Sequence, residues 1–129
     1  MRYLLDAHTL IWSQDDPVRL PQAVTTALAD PSHERLLSIA TIWEIGIKVS
    51  LGKLKLSKPL GDWIETTSAD LATTHLPISL EHVIRQLGLP FHHRDPFDRL
   101  LVAQAFEENA VLLSGDAAFQ AYGVNCMWG

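Results

Sequence analysis

The sequence predicts an α/β fold: a single domain over residues 1–129 with a mainly parallel central sheet flanked by helices. Three observations carry that expectation. A chain of 129 residues suits one compact domain and is short for two. Its 47% hydrophobic and 19% charged residues are the composition of a globular chain with a core. Short apolar runs bounded by turn residues alternate with segments of helical period, without repeats, low-complexity stretches or a linker.

Taken in order, RYLLDA (2–7) reads as a buried strand and HTLIWS after it as the start of a helix. PQAVTTALAD (21–30) opens on proline, has helical spacing at Val24 and Leu28, and is stopped by Pro31. RLLSI (35–39) is a second strand, and ATIWEIGIKVSL (40–51) a helix ended by Gly52. PLGDWIETT (59–67) is a weaker helix, and DLATTHLP (70–77) a third strand. Ser79 caps LEHVIRQL, which Gly88 closes. A helix over 96–108, a strand AVLLSG (110–115), a short helix AAFQAY (117–122) and a strand VNCMW (124–128) complete the chain.

In parallel sheets ligands bind outside the carboxyl ends of the strands, so the polar residues expected there matter most. Asp6 ends the first strand, where it either caps the following helix or faces a ligand. In the helix from Thr41 to Leu51, apolar residues cover most of the circumference, and Thr41, Glu44 and Lys48 form one polar strip. That strip is either a surface Glu–Lys pair or the wall of a polar cleft. Trp43 belongs in the core on this pattern. Asp95 before Pro96 has the form of a helix cap. Asp98 instead shares its face with Leu101, Val102 and Ala105, so it needs compensation from the helix N-terminus, from Arg94 or Arg99, or from a cation. Asp116 follows the strand VLLSG, again as a cap or a ligand.

If the α/β expectation holds, Asp6, Glu44, Asp98 and Asp116 converge on one edge. Carboxylates so crowded cannot all ionise without cations, and hard divalent ions such as Mg²⁺ or Mn²⁺ are their natural partners. His92 and His93 have no third His or Cys at zinc-site spacing and read as surface or loop residues. The single cysteine, Cys126, excludes an internal disulfide framework. No apolar run approaches the ~20 residues that span a bilayer, and the N-terminus lacks a signal-peptide pattern, so the expectation is a cytoplasmic protein. A net charge of −5 argues against a generally basic nucleic-acid binder but not against an acidic nuclease. Lys48, Lys53, Lys55 and Lys58 form one basic patch, either a solvated face or a contact for phosphates.

LLDAHTLIW, SIATIWEIGIKVSLGKLKL, LPFHHRDPFDRLLVAQA and LLSGDAAFQAYGV together resemble the signature segments of PIN-domain ribonucleases, in particular VapC-like toxins of toxin–antitoxin systems. The resemblance covers essentially the whole chain. It implies a metal-dependent endoribonuclease that uses Mg²⁺ or Mn²⁺, is inhibited by a cognate antitoxin protein, and forms a homodimer. It implies Asp6, Glu44, Asp98 and Asp116 as the catalytic, metal-binding acids, with Asp6, Asp98 and Asp116 holding the principal ion. Glu44 would ligate that ion or orient water. Asp95 and Ser114 would be auxiliary, and the lysines at 48, 53, 55 and 58 candidates for RNA contact. Trp12 belongs to the core or to a partner interface. The chain departs from the family pattern at Ala7, His8 and Gly115. A receiver-like phospho-acceptor wants an acid pair on the first strand, and an aspartate phosphatase wants a second Asp two places after Asp6. Neither pattern is present. A non-catalytic PIN-like scaffold would not need all four acids.

Overall fold

The computed structural model describes all 129 residues. Its elements are β1 (Arg2–Leu5), α1 (Ala7–Asp15), α2 (Gln22–Ala29), β2 (Glu34–Ser38), α3 (Ile39–Ser50), α4 (Leu60–Leu71), β3 (Thr74–Leu76), α5 (Leu80–Leu87), α6 (Pro96–Glu107), β4 (Val111–Leu113) and β5 (Cys126–Met127). Two short 3₁₀ helices lie at Pro17–Arg19 and Ala117–Tyr122. All five strands are parallel, in the order β3-β2-β1-β4-β5. The α/β expectation is met.

Alternate side chains of each strand feed two cores. Tyr3, Leu5, Leu37 and Leu113 point to one face, where Leu10 of α1, Val24 and Leu28 of α2, Ile45 of α3 and Trp63 of α4 cover them. Leu4, Leu36 and Leu112 point to the other, under Leu101, Val102 and Ala105 of α6 and Phe119. This two-sided burial explains why β1 reads as an unbroken apolar run.

The chain winds from β1 outward through β2 to β3, then returns to place β4 on the opposite side of β1. The crevice beyond the carboxyl ends of β1 and β4 is therefore the switch point at which such sheets bind ligands. Asp6 and Asp116 both leave the sheet there.

Two expectations are corrected. The third strand is Thr74–Leu76 rather than 70–77, because α4 runs on to Leu71. Ala72 adopts a left-handed conformation (φ 49°), with N–H groups of Ala72 and Thr73 returning to the carbonyls of Ala69 and Ser68. Trp43, expected in the core, is 59% exposed. Helix α3 buries Ala40, Thr41, Glu44 and Ile45, which turns Trp43 outward to meet the Phe97 ring edge-on at 5.2 Å. The fully buried indole is Trp63, whose Nε1–H donates to Asp15 at 3.0 Å.

Candidate metal centre

Each acid reaches the crevice by a local device that the backbone dictates. Asp6 directly follows β1 and caps α1, its Oδ1 accepting the Thr9 N–H at 2.8 Å. Asp116 follows β4 and caps the 3₁₀ helix, its Oδ1 accepting the Ala118 N–H at 2.9 Å. Buried Ser114 steadies that turn by accepting the Asp116 N–H at 3.0 Å. Asp95 caps α6 through Oδ1 and the Phe97 N–H at 2.9 Å, and Asp98 sits in the first turn of the same helix. Glu44, buried on α3, accepts from Lys48 Nζ at 3.0 Å.

Capping and ligand binding are not alternatives here. In Asp6, Asp95 and Asp116 the capping bond engages Oδ1 and leaves Oδ2 without a capping role. The cap fixes the carboxylate plane and the second oxygen is available to the cleft.

All five acids line one cavity of about 250 Å³, with Lys48 and His93 in its wall. Potential ligand atoms of Glu44, Asp95 and Asp98 lie within 4.8 Å of one another, and so do those of His93, Asp98 and Asp116. Asp98 is common to both sets. Asp6 lines the cavity but belongs to neither set. Asp95, expected mainly as a cap, stands within reach of Glu44 and Asp98.

The crowding has an electrostatic consequence. Burial, then the charges of Asp95 and Glu44, push the Asp98 carboxyl up to about 7, with Asp116 adding and His93 opposing. Lys48 is held above its ordinary value, first by its bond to Glu44 and against burial, with Asp95 and Asp98 assisting. Neither expected arginine compensates Asp98. Arg99 turns away to donate to the carbonyls of Gln86 and Leu89 at 3.0 and 2.9 Å, stacking over Phe91, and Arg94 is exposed.

His93 is the site residue that the sequence did not single out. Its Nδ1 accepts the Asp95 N–H at 3.1 Å, so the ring proton belongs on Nε2. Nε2 lies 3.2 Å from Asp98 Oδ2 and 3.8 Å from Asp116 Oδ2. The two-residue step from His93 to the capping Asp95 was a signal for this turn, though not for its contacts. His92 is exposed and packs its ring against Tyr122.

Of the four lysines, Lys48 enters the acidic cavity. Lys48 and Lys53 both line an adjoining groove with Ile11, Trp12 and Leu54. Lys55 is exposed outside both, and Lys58 donates to Thr66 Oγ1 at 3.2 Å on α4. A third cavity, about 550 Å³, opens beside the acids between Trp12 and Trp128. Cys126 is in neither ligand set, and burial followed by the Asp6 charge raises its thiol.

The donors fit a hard divalent cation: carboxylate oxygens predominate, with no thiolate among them. Glu44, Asp95, Asp98 and Asp116 would hold such a cation, whose charge would relieve the repulsion that burdens Asp98.

Comparison with known proteins agrees with this architecture. The family model of the PIN domain matches residues 3–125. Ribonuclease VapC22 of Mycobacterium tuberculosis (strain ATCC 25618 / H37Rv) is 26% identical over 121 residues, covering 92% of this chain and 90% of that protein. Among solved structures, VapBC2 from Rickettsia felis bound to a DNA fragment from their promoter superposes with a TM-score of 0.75 at 16% identity, covering 100% of both chains. VapBC-1 from nontypeable Haemophilus influenzae gives 0.67 at 19% identity, over 98% of this chain and 97% of the other.

Proposed function

The chain belongs to the PIN-domain family, and on that premise we propose that it is a divalent-metal-dependent endoribonuclease, the toxin of a toxin–antitoxin pair. One observation carries the proposal. Five carboxylates share a small cavity at the sheet's switch point with a single lysine, an arrangement that costs stability unless a cation occupies it. The likeness to a ribonuclease over nine-tenths of the chain and to VapBC assemblies supports the choice of RNA as substrate and of an antitoxin as partner.

Asp6, Glu44, Asp98 and Asp116 form the acidic set, with Asp95 and Ser114 auxiliary. Mg²⁺ or Mn²⁺ is the expected cofactor, and when bound it supplies Lewis-acid stabilisation of the phosphoryl oxygens. The residues contribute position and charge. Asp98, shared by both ligand sets, is the hub, and His93 Nε2 stands 3.2 Å from its Oδ2. The caps of Asp95 and Asp116 fix two further carboxylates before any substrate arrives. Lys48 holds Glu44 and, with Lys53 in the next groove, presents positive charge to the RNA backbone. Lys55 and Lys58 extend that patch away from the cavity.

A homodimer is part of the proposal. Leu80, Val83, Ile84 and Leu87 recur at helical spacing on one face of α5 and all are exposed. Such a face calls for a partner, and a second copy satisfies it symmetrically.

Cleavage of single-stranded and structured RNA is the test, with Mg²⁺ or Mn²⁺, with EDTA, and for Asp98→Asn and Asp95→Asn. Metal-dependent cutting abolished by Asp98→Asn and reduced by Asp95→Asn is the expected result. Cutting that survives both EDTA and Asp98→Asn would overturn the proposal.

A further inference from the structure

Beside the acids lies a second cavity, for which the proposed chemistry names no occupant. It is bounded by Asp6, His8, Trp12, Arg19, Asp116 and Trp128, with a volume of about 550 Å³, within the ~300–1,000 Å³ range of small-ligand sites. It shares Asp6, His8 and Asp116 with the acidic cavity, so the two form one continuous trough. Its character is different. One half of the trough is anionic and the other aromatic, with an arginine at its margin.

The aromatic half joins two distant parts of the chain, of which Trp128 also packs against the core that holds Leu5, Leu37 and Leu113. Trp12 and Trp128 come from opposite ends of the chain, and their rings stand 5.9 Å apart at 53°. The Arg19 guanidinium lies over Trp12 at 4.8 Å, and the exposed His8 ring lies 5.4 Å from it. Trp12 is not packed against either core cluster, so core packing does not account for its position. Trp128 can lie where it does only because residue 115 is glycine. A Cβ there would stand 2.7 Å from Trp128 Cε2 and 2.8 Å from its Nε1. The backbone of Gly115, immediately before Asp116, thus admits the indole next to a site carboxylate.

We propose that this aromatic cleft receives an unpaired nucleobase of the RNA strand, next to the phosphate that enters the acidic cavity. The inference rests on the ribonuclease proposal for the identity of the strand. A base can stack on an indole only when it is unpaired, and such stacking tolerates any base. Arg19 suits the same occupant, since a guanidinium both stacks on planar rings and binds phosphate. The continuity with Asp6 and Asp116 favours the substrate strand over a protein side chain. Trp12, Trp128 and Arg19 are therefore positioning residues for the strand, and Gly115 is the position that makes room for one of them.

The test uses a fluorescein-labelled single-stranded RNA of mixed sequence, together with versions carrying one abasic residue at successive positions. Binding to the full chain is read by anisotropy with Ca²⁺, and cleavage separately with Mn²⁺, for wild type, Trp12→Leu, Trp128→Leu and Trp128→Phe. The expected result is binding about tenfold weaker for either leucine variant, with Trp128→Phe largely restored. At one abasic position the losses should not add, since base and indole would be removed from the same contact. A merely structural role for Trp128 would weaken all RNAs equally and leave every abasic penalty intact. Trp12→Leu, outside the core, keeps the test valid should Trp128→Leu fold poorly. Leucine variants that bind every RNA like wild type, or losses that add at all positions, overturn the inference and leave the cleft as a protein-contact surface. The ribonuclease proposal is judged apart. Cleavage without this interdependence sinks the cleft alone, and interdependent binding without cleavage sinks the nuclease alone.

Discussion

A carboxyl titrating near 7 among other carboxylates costs the fold stability whenever it is ionised, and Asp98 is such a group. Its folded value lies above its ordinary 3.8, so between about pH 4 and 7 the folded protein binds a proton that the unfolded chain does not. Stability of the metal-free protein therefore falls as pH rises through that window, and the cost is fully present above about pH 7. Asp98→Asn removes it. Urea unfolding in EDTA should show the variant more stable than wild type at about pH 8, on the order of 1–3 kcal/mol, with the gain shrinking towards pH 4. Cleavage should meanwhile fall about a hundredfold or more. A variant destabilised at about pH 8 would contradict this account of the site. Asp98 could be singled out in the sequence because it shares a helical face with Leu101, Val102 and Ala105. His93 could not, since its place depends on a hydrogen bond to the Asp95 N–H inside a loop with no period. Arg99 misled for a similar reason: its partners are carbonyls of the preceding segment, invisible to charge arithmetic.

Helix α5 shows what periodicity can and cannot tell. Its cap at Ser79 and its stop at Gly88 follow from sequence, and both are present. Its strong amphipathicity would ordinarily send the apolar face inward. Instead His82 is buried, its Nε2 facing Glu108 at 3.0 Å, while Leu80, Ile84 and Leu87 face outward. A sequence period gives the stripe but not whether its cover comes from the same chain. Ile84→Glu should therefore convert the proposed homodimer to a monomer, read by light scattering, with the fold retained by circular dichroism. An unchanged mass would remove α5 from the interface. On the opposite side, Asp15 at the end of α1 ties down the lysine-bearing segment between α3 and α4. It accepts from the Ser57 N–H at 3.0 Å, from Ser57 Oγ–H at 2.6 Å and from Trp63 Nε1–H at 3.0 Å. Burial would raise its carboxyl, yet these bonds together hold it below the ordinary value. The sign is opposite to that of Asp98: this stabilisation is present above the unfolded value and is lost as pH falls through the folded one. Asp15→Ala should cost about 1–3 kcal/mol and expose Lys53 and Lys55 to faster tryptic cleavage. Unchanged cleavage would show that the segment is held by other contacts.

At the level of the whole molecule, the site exists only when the sheet is complete. Asp6 and Asp116 are brought together by pairing of β1 with β4, while Glu44 and Asp98 arrive on α3 and α6, which pack against each other. The alternation of strands and helices made the parallel sheet legible. The strand order was not, because no local pattern states that β4 returns to the far side of β1. The acids were thus identifiable as a set, while their grouping around Asp98, with Asp6 outside both ligand clusters, required the assembled fold. A ligand held by such dispersed residues binds the folded chain and not the unfolded one, so it must raise the unfolding free energy by mass action. Mn²⁺ at about a hundredfold over its Kd should add about 2.7 kcal/mol. Because an ion at Asp98 competes with the proton there, affinity should strengthen as pH rises through about 7 and weaken below it. The rise in unfolding midpoint with Mn²⁺ should accordingly be larger at about pH 8 than at about pH 5.5, and largely absent in Asp98→Asn. A pH-independent rise that persists in that variant would place the ion elsewhere, and the two carboxylate sets would have to be explained without it.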